Sequence, residues 1–289
     1  MNRRDAIKNS LLATSALALT ASSCSPTEPQ TKPFSLKGKV KHSACRWCYS
    51  DMPLEELAEH AQDLGMKSIE LLNPDEWDIM LKRGLTCAIS NGSKLGITKG
   101  FNDEQNHRQL FGEYSQLIPK AAEKGITQII CFSGNRNGVS DKTGLEFAAW
   151  GLEKVIKIAE KYDVTLVMEL LNSKVDHADY MCDKTEWGVQ LVEKLGSTHF
   201  KLLYDIYHMQ IMEGDVISTI RQNRKYISHF HTGGVPGRNE INETQELNYR
   251  AIMEAIHEDG FEGYVAQEFI PTRKDVISSL KEGITICDV

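Results

Sequence analysis

A chain of 289 residues with 41% hydrophobic side chains can bury one large core, and a single α/β barrel of about 250 residues accounts for nearly all of it. Its formal charge of −7 becomes more negative still once the basic N-terminus is set aside. Such a body repels a phosphate backbone, which argues against nucleic acid as the main partner.

The first 24 residues read as an export signal. Arg3, Arg4 and Lys8 precede an apolar stretch at 11–21, with small residues before Cys24. That stretch is too short and too weakly apolar to span a bilayer. The adjacent arginines resemble a twin-arginine signal, and Ala21-Ser22-Ser23-Cys24 resembles a lipoprotein cleavage box with Cys24 as the lipidated first residue. The expectation is an exported protein, either periplasmic or held to a bacterial membrane through a lipid anchor on Cys24. Residues 25–36, polar and proline-rich, read as a tether, leaving 37–289 for the barrel. Near its start, Cys45-Arg46-Trp47-Cys48 is a lone C-x-x-C with no second pair to complete a zinc ribbon. Thiols packed as small apolar groups are the expectation, with a redox role or a disulfide as the alternative.

In chain order, strands are expected at 40–44, 68–72, 86–90, 128–132, 164–169, 201–205, 227–231 and 263–268. Helices alternate with them at 53–65, 76–83, 103–124, 144–162, 184–195, 216–223, 249–257 and 273–282. The first of these opens on Pro53 and closes on Gly65. Eight strand–helix units in strict alternation predict a closed parallel (β/α)8 TIM barrel, since an open doubly wound sheet usually has fewer strands. No Gly-x-Gly-x-x-Gly follows the first strand, so a dinucleotide site has no support.

The last four strands each finish on a metal-capable side chain: Glu169, Asp205, His231 and Glu268. A single polar strand end often only meets solvent. Four on neighbouring strands converge on one volume at the C-terminal mouth of a barrel. Three carboxylates and an imidazole suit one divalent ion, Mn²⁺ or Mg²⁺, with Zn²⁺ or Co²⁺ admitted by the nitrogen. Glu169 and Glu268 can flank a substrate whose adjacent oxygens the ion takes, and shuttle a proton through an enediolate. Returning it to the next carbon is isomerisation; returning it to the opposite face is epimerisation. His208, just past the sixth strand, is expected to contact substrate. Arg238, after the glycine-rich turn at 233–237, offers a fixed positive fork that could also hold a phosphate. His229 shares the face of His231, either as support for it or as a packed core histidine.

At these residues the chain resembles the xylose-isomerase-like barrel superfamily, most closely its hydroxypyruvate isomerase branch. The likeness runs from about 40 to 271. It is carried by Leu166-Val167-Met168-Glu169, Tyr204-Asp205-Ile206-Tyr207-His208, His229-Phe230-His231, Gly237-Arg238-Asn239-Glu240 with Glu246-Leu247-Asn248-Tyr249, and Gln267-Glu268-Phe269-Ile270-Pro271. The resemblance implies metal ligation by Glu169, Asp205, His231 and Glu268, acid–base work by Glu169 and Glu268, and substrate contacts from His208 and Arg238. Hydroxypyruvate isomerases typically carry Gln where this chain has His231, whereas ketose 3-epimerases of the same superfamily carry His. The metal site therefore resembles the epimerases, while the motifs after strands seven and eight resemble the isomerases. An exported location favours a free sugar or sugar derivative over a hydroxy-keto acid such as hydroxypyruvate. The competing readings are a metal-dependent hydrolase, lyase or nuclease on the same barrel, and an inactive sugar-binding lipoprotein. A homo-oligomer is compatible with any of them.

Overall fold

The computed structural model describes residues 34–289, so the expected export signal, Cys24 and most of the tether lie outside the described residues. Six parallel strands form the wall: β1 (Lys41–Ala44), β2 (Gln128–Cys131), β3 (Thr165–Glu169), β4 (Phe200–Asp205), β5 (Ile227–Thr232) and β6 (Tyr264–Gln267). They pair in the order β1-β6-β5-β4-β3-β2. The gap between β1 and β2 is closed by the extended segments 68–72 and 86–90, the expected second and third strands.

Backbone hydrogen bonds carry that closure. Glu70 N donates to Ala44 O and Arg46 N to Glu70 O on one side, while Ile69 N donates to Thr86 O and Leu71 N to Ile89 O between the two segments. Ser90 N then donates to Gln128 O, and Ile130 N to Ser90 O. The eight staves are therefore all present, and no sheet edge among the described residues is left unpaired. The two added staves pair only through isolated bridges. Leu71, at φ 57°, leaves the extended region and interrupts any longer ladder there.

The period of two along each strand sorts side chains between two cores. Ile129, Leu166, Met168, Leu202, Tyr204 and Phe230 face outward into the large core beneath the helices. Ile89, Ile130, Val167 and Leu203 face inward and fill one side of the barrel with a small apolar cluster. The other side of the interior is polar, with Ser43 donating to Ser68 Oγ at 3.0 Å and with Glu70, His229 and His231 fully buried.

The expected helices are α1 (Leu54–Asp63), α2 (Trp77–Leu81), α3 (Glu104–Glu123), α4 (Asp141–Tyr162) and α5 (Thr185–Leu195), followed after β4 by α7 (Val216–Asn223), α8 (Tyr249–Glu258) and α9 (Val276–Cys287). Side-chain caps set several boundaries. Ser140 accepts from Thr143 N and starts α4 earlier than expected, and Asp275 accepts from Ser278 N and starts α9 later. One helix, α6 (Ile206–Met212), is absent from the sequence reading. It begins directly after β4, where the Asp205 side chain accepts from His208 N and leaves no turn residue to announce a start. No helix among the described residues is long and apolar enough to cross a membrane.

Candidate metal centre and active site

The C-terminal ends of the last four strands converge. Glu169 closes β3, Asp205 closes β4 and His231 lies one residue before the end of β5, directly opposite Asp205 in the register. Glu268 follows β6, held in line because its N–H donates to Thr232 O at 3.1 Å. One ligand atom from each of the four residues lies within 4.8 Å of every other, and all four residues are buried. His231 Nδ1 is 3.2 Å from Glu169 Oε1 and 2.9 Å from Glu268 Oε2. Arg238 Nη2 stands 2.6 Å from Glu268 Oε2 and 3.4 Å from Asp205 Oδ2.

The electrostatics show a site short of positive charge. Burial pushes the carboxyls of Asp205 and Glu169 up, and the negative charge of Glu268 adds to it. Burial also works against ionised Glu268, but His231 and Arg238 outweigh it and hold that carboxyl well below the usual range. One imidazole and one guanidinium do not balance three buried carboxylates. A divalent ion at their common centre does, and three carboxylates with one ring nitrogen suit Mn²⁺, Mg²⁺, Co²⁺ or Zn²⁺. The residues present fit such an ion.

A cavity of about 410 Å³ opens above them. Leu71, Ile97, Ile130, Phe132 and Leu171 make it apolar on one side, while Trp47, His177 and Arg238 line it beside the two glutamates. A larger hollow of about 570 Å³ between Asn73 and Lys120 lies apart from this carboxylate cluster. Convergent buried titratable groups, rather than size, mark the functional site.

His208 sits on α6, just past β4, and is fully buried. Its Nδ1 meets Asn172 Nδ2 at 2.6 Å, and its Nε2 lies 3.6 Å from Asp205 Oδ2 with no hydrogen-bond partner. Burial, reinforced by the Arg238 charge, drives its pKa well below the ordinary histidine range, so the ring is neutral. The unpartnered ring nitrogen lies beside the carboxylate cluster. Arg238 follows the glycine-rich turn and faces the carboxylate cluster. At φ 58° it turns inward, pairs with Glu268 and lies 5.1 Å from the Trp47 ring and 5.4 Å from the Tyr207 ring. His229 is the packed and supporting histidine, its Nε2 2.8 Å from Glu70 Oε1.

Three contributors escape the sequence reading. The Trp47 indole N–H donates to Glu268 Oε1 at 2.8 Å, yet inside a C-x-x-C the eye goes to the thiols. Cys45 and Cys48 are free, and burial pushes both thiols up, which keeps them neutral. Glu70 lies in the barrel interior. Burial raises its carboxyl, but His229 and His231 bring it down to about 2. The only signal for Glu70 is a lone carboxylate inside the apolar run 68–72. Asn172, three residues past Glu169, carries no signal of its own.

A closed (β/α)8 barrel with three carboxylates and an imidazole gathered at its C-terminal mouth is the class that the fold and site define. A family model described as xylose isomerase-like TIM barrel matches residues 44–284, and the chain belongs to that family. Two relatives are similar over most of their length. Hydroxypyruvate isomerase of Escherichia coli is 32% identical over 224 residues, covering 74% of this chain and 86% of that one. The 2-oxo-tetronate isomerase of Cupriavidus necator is 32% identical over 239 residues, covering 75% and 87%. Among solved structures, D-psicose 3-epimerase with D-tagatose from Clostridium cellulolyticum matches 86% of this chain and 97% of its own, with a TM-score of 0.66 at 19% identity, a likeness of fold.

Proposed function

We propose that this isomerase is divalent-cation-dependent and acts on a small sugar or related α-hydroxycarbonyl compound by moving a proton between carbons or between faces of one carbon. The observation that carries the reading is the pair Glu169 and Glu268. They reach His231 Nδ1 from different strands, at 3.2 and 2.9 Å, with the cavity above both. Glu169, Asp205, His231 and Glu268 would hold the ion. When bound, it supplies Lewis acidity toward two adjacent substrate oxygens and stabilises the negative charge that develops as the C–H bond breaks.

The remaining work falls to the chain. One glutamate removes the proton from the carbon next to the carbonyl, and the other delivers a proton to the neighbouring carbon or to the opposite face. Arg238 donates to a substrate oxygen while holding Glu268 in place, and neutral His208 offers Nε2 to another. The apolar wall of Leu71, Ile97, Ile130, Phe132 and Leu171 excludes water from the side where the carbanionic carbon forms.

A volume of about 410 Å³ is more than a three-carbon acid fills, which supports a longer sugar. His231, the residue that resembles the ketose epimerases, supports the same choice. The N-terminal sequence supports an exported location, with Cys24 as a lipid anchor, where a free sugar is the substrate met. The test is turnover in deuterated water with D-psicose, D-tagatose and hydroxypyruvate as trial substrates. Solvent deuterium enters the α-carbon of whichever compound is converted, whereas conversion of every active substrate without exchange would rule out proton transfer through solvent-exchangeable carboxyls.

A further inference from the structure

We infer that Glu70 is a positioning residue that decides which nitrogen His231 presents to the cation site. This rests on the reading of that site given above. Glu70 lies on the second stave and reaches across the barrel interior to β5. There its Oε1 is 2.8 Å from His231 Nε2 and 2.8 Å from His229 Nε2. All three side chains are fully buried. The other edge of the His231 ring carries Nδ1, the atom that faces Glu169 and Glu268. One imidazole thus joins two clusters, the cation site above and the Glu70 carboxylate below.

The hydrogen positions follow from which groups can donate. An ionised carboxylate only accepts, so an imidazole nitrogen at hydrogen-bond distance from it must carry the hydrogen. Glu70 Oε1 therefore takes N–H from Nε2 of both rings. For His229 the same conclusion comes from its other side. His229 Nδ1 is buried without a partner, and a bare lone pair there costs less than a stranded N–H. For His231 the consequence is functional, because hydrogen on Nε2 reserves the Nδ1 lone pair for a cation. With Glu70 gone, the opposite tautomer becomes accessible and points a hydrogen into the site. His229 braces the carboxylate from a second direction, its ring standing edge-on to His231 at 86° with centroids 5.2 Å apart. Cys45 Sγ, 3.7 Å from His231 Nε2 and 3.9 Å from Glu70 Oε1, packs the remaining side. The alternation in His229-Phe230-His231 builds this pair, with both imidazoles inside and Phe230 outside.

The experiment combines Mn²⁺ titration calorimetry on wild type and Glu70→Gln with ¹⁵N NMR of histidine-labelled protein loaded with diamagnetic Mg²⁺ or Zn²⁺. In wild type, His231 shows hydrogen on Nε2, and Glu70→Gln weakens Mn²⁺ binding about 10–100-fold. The circular dichroism spectrum of the variant stays that of wild type, while its cation-free unfolding midpoint falls because the buried pairing of Glu70 with two imidazoles is lost. Mn²⁺ affinity is therefore read at a temperature where the variant is folded, which separates positioning from folding. Wild-type affinity in folded Glu70→Gln would overturn the inference. So would an Nδ1–H tautomer for His231 in wild type, a readout that needs no variant to fold. Absence of Mn²⁺ binding by wild type would instead overturn the reading of the cation site itself.

Discussion

Glu169→Gln and Glu268→Gln each lower kcat by about 10²–10⁴-fold on any substrate that wild type converts. The amide keeps the size of the side chain and an oxygen to offer, but it can neither take a proton from carbon nor hold one ready for delivery. Both residues stand within 3.2 Å of the same ring nitrogen, at the base of the cavity, so neither is replaceable by the other. Because the two act in sequence on one proton path, the double variant is far less impaired than the product of the single losses. The loss appears in kcat more than in KM, and deuterium exchange at the α-carbon disappears with it. A variant that keeps turnover within about tenfold of wild type, well short of the usual acid–base contribution, removes that glutamate from the path.

Chelating divalent ions abolishes turnover and lowers the thermal midpoint, and added Mn²⁺ restores both. The direction follows from the buried carboxyls. Asp205 and Glu169 are pushed up by burial and by Glu268, a cost that the folded chain carries until a cation balances it. An ion at a hundred times its Kd stabilises the fold by about 2.7 kcal/mol. For a barrel of this size that is a shift of roughly 5–10 °C, read by scanning calorimetry with Mn²⁺ against a chelator. Asp205→Asn and His231→Ala lose most of the cation-dependent shift, since each removes one donor from the four. In Asp205→Asn the amide oxygen can keep the cap of α6, where Asp205 Oδ1 accepts from His208 N at 3.1 Å, but the charge among the buried carboxyls changes, so the reference is the cation-free midpoint of the same variant. An unchanged wild-type midpoint in saturating Mn²⁺ contradicts a cation held by these residues.

The four strand ends are legible in the sequence because an apolar run with a period of two stops on each of them, and neighbouring parallel strands must bring those stops together. Glu169, Asp205, His231 and Glu268 need no knowledge of the loops to be found. The second and third staves are harder, since Leu71 in a left-handed conformation and only isolated bridges leave little regular pairing for the sequence to encode. Helix α6 is hidden because its cap is also a site residue. Trp47 and Glu70 are invisible for a different reason. Glu70 reaches the site from the second stave and Trp47 from the 3-10 turn after β1, both distant in sequence, and only the closed ring shows that Glu70 lies against His231 or that Trp47 donates to Glu268. Arg238 is found by its glycine-rich turn, but the direction it faces depends on a positive φ that no composition reveals.

The most direct test is a crystal grown in Mn²⁺ with data collected across the manganese absorption edge. One anomalous peak at the mouth of the barrel is expected, bounded by Glu169, Asp205, His231 through Nδ1, and Glu268. No peak at saturating Mn²⁺, or a peak whose ligands exclude two or more of these side chains, would contradict a single cation gathered by the last four strands.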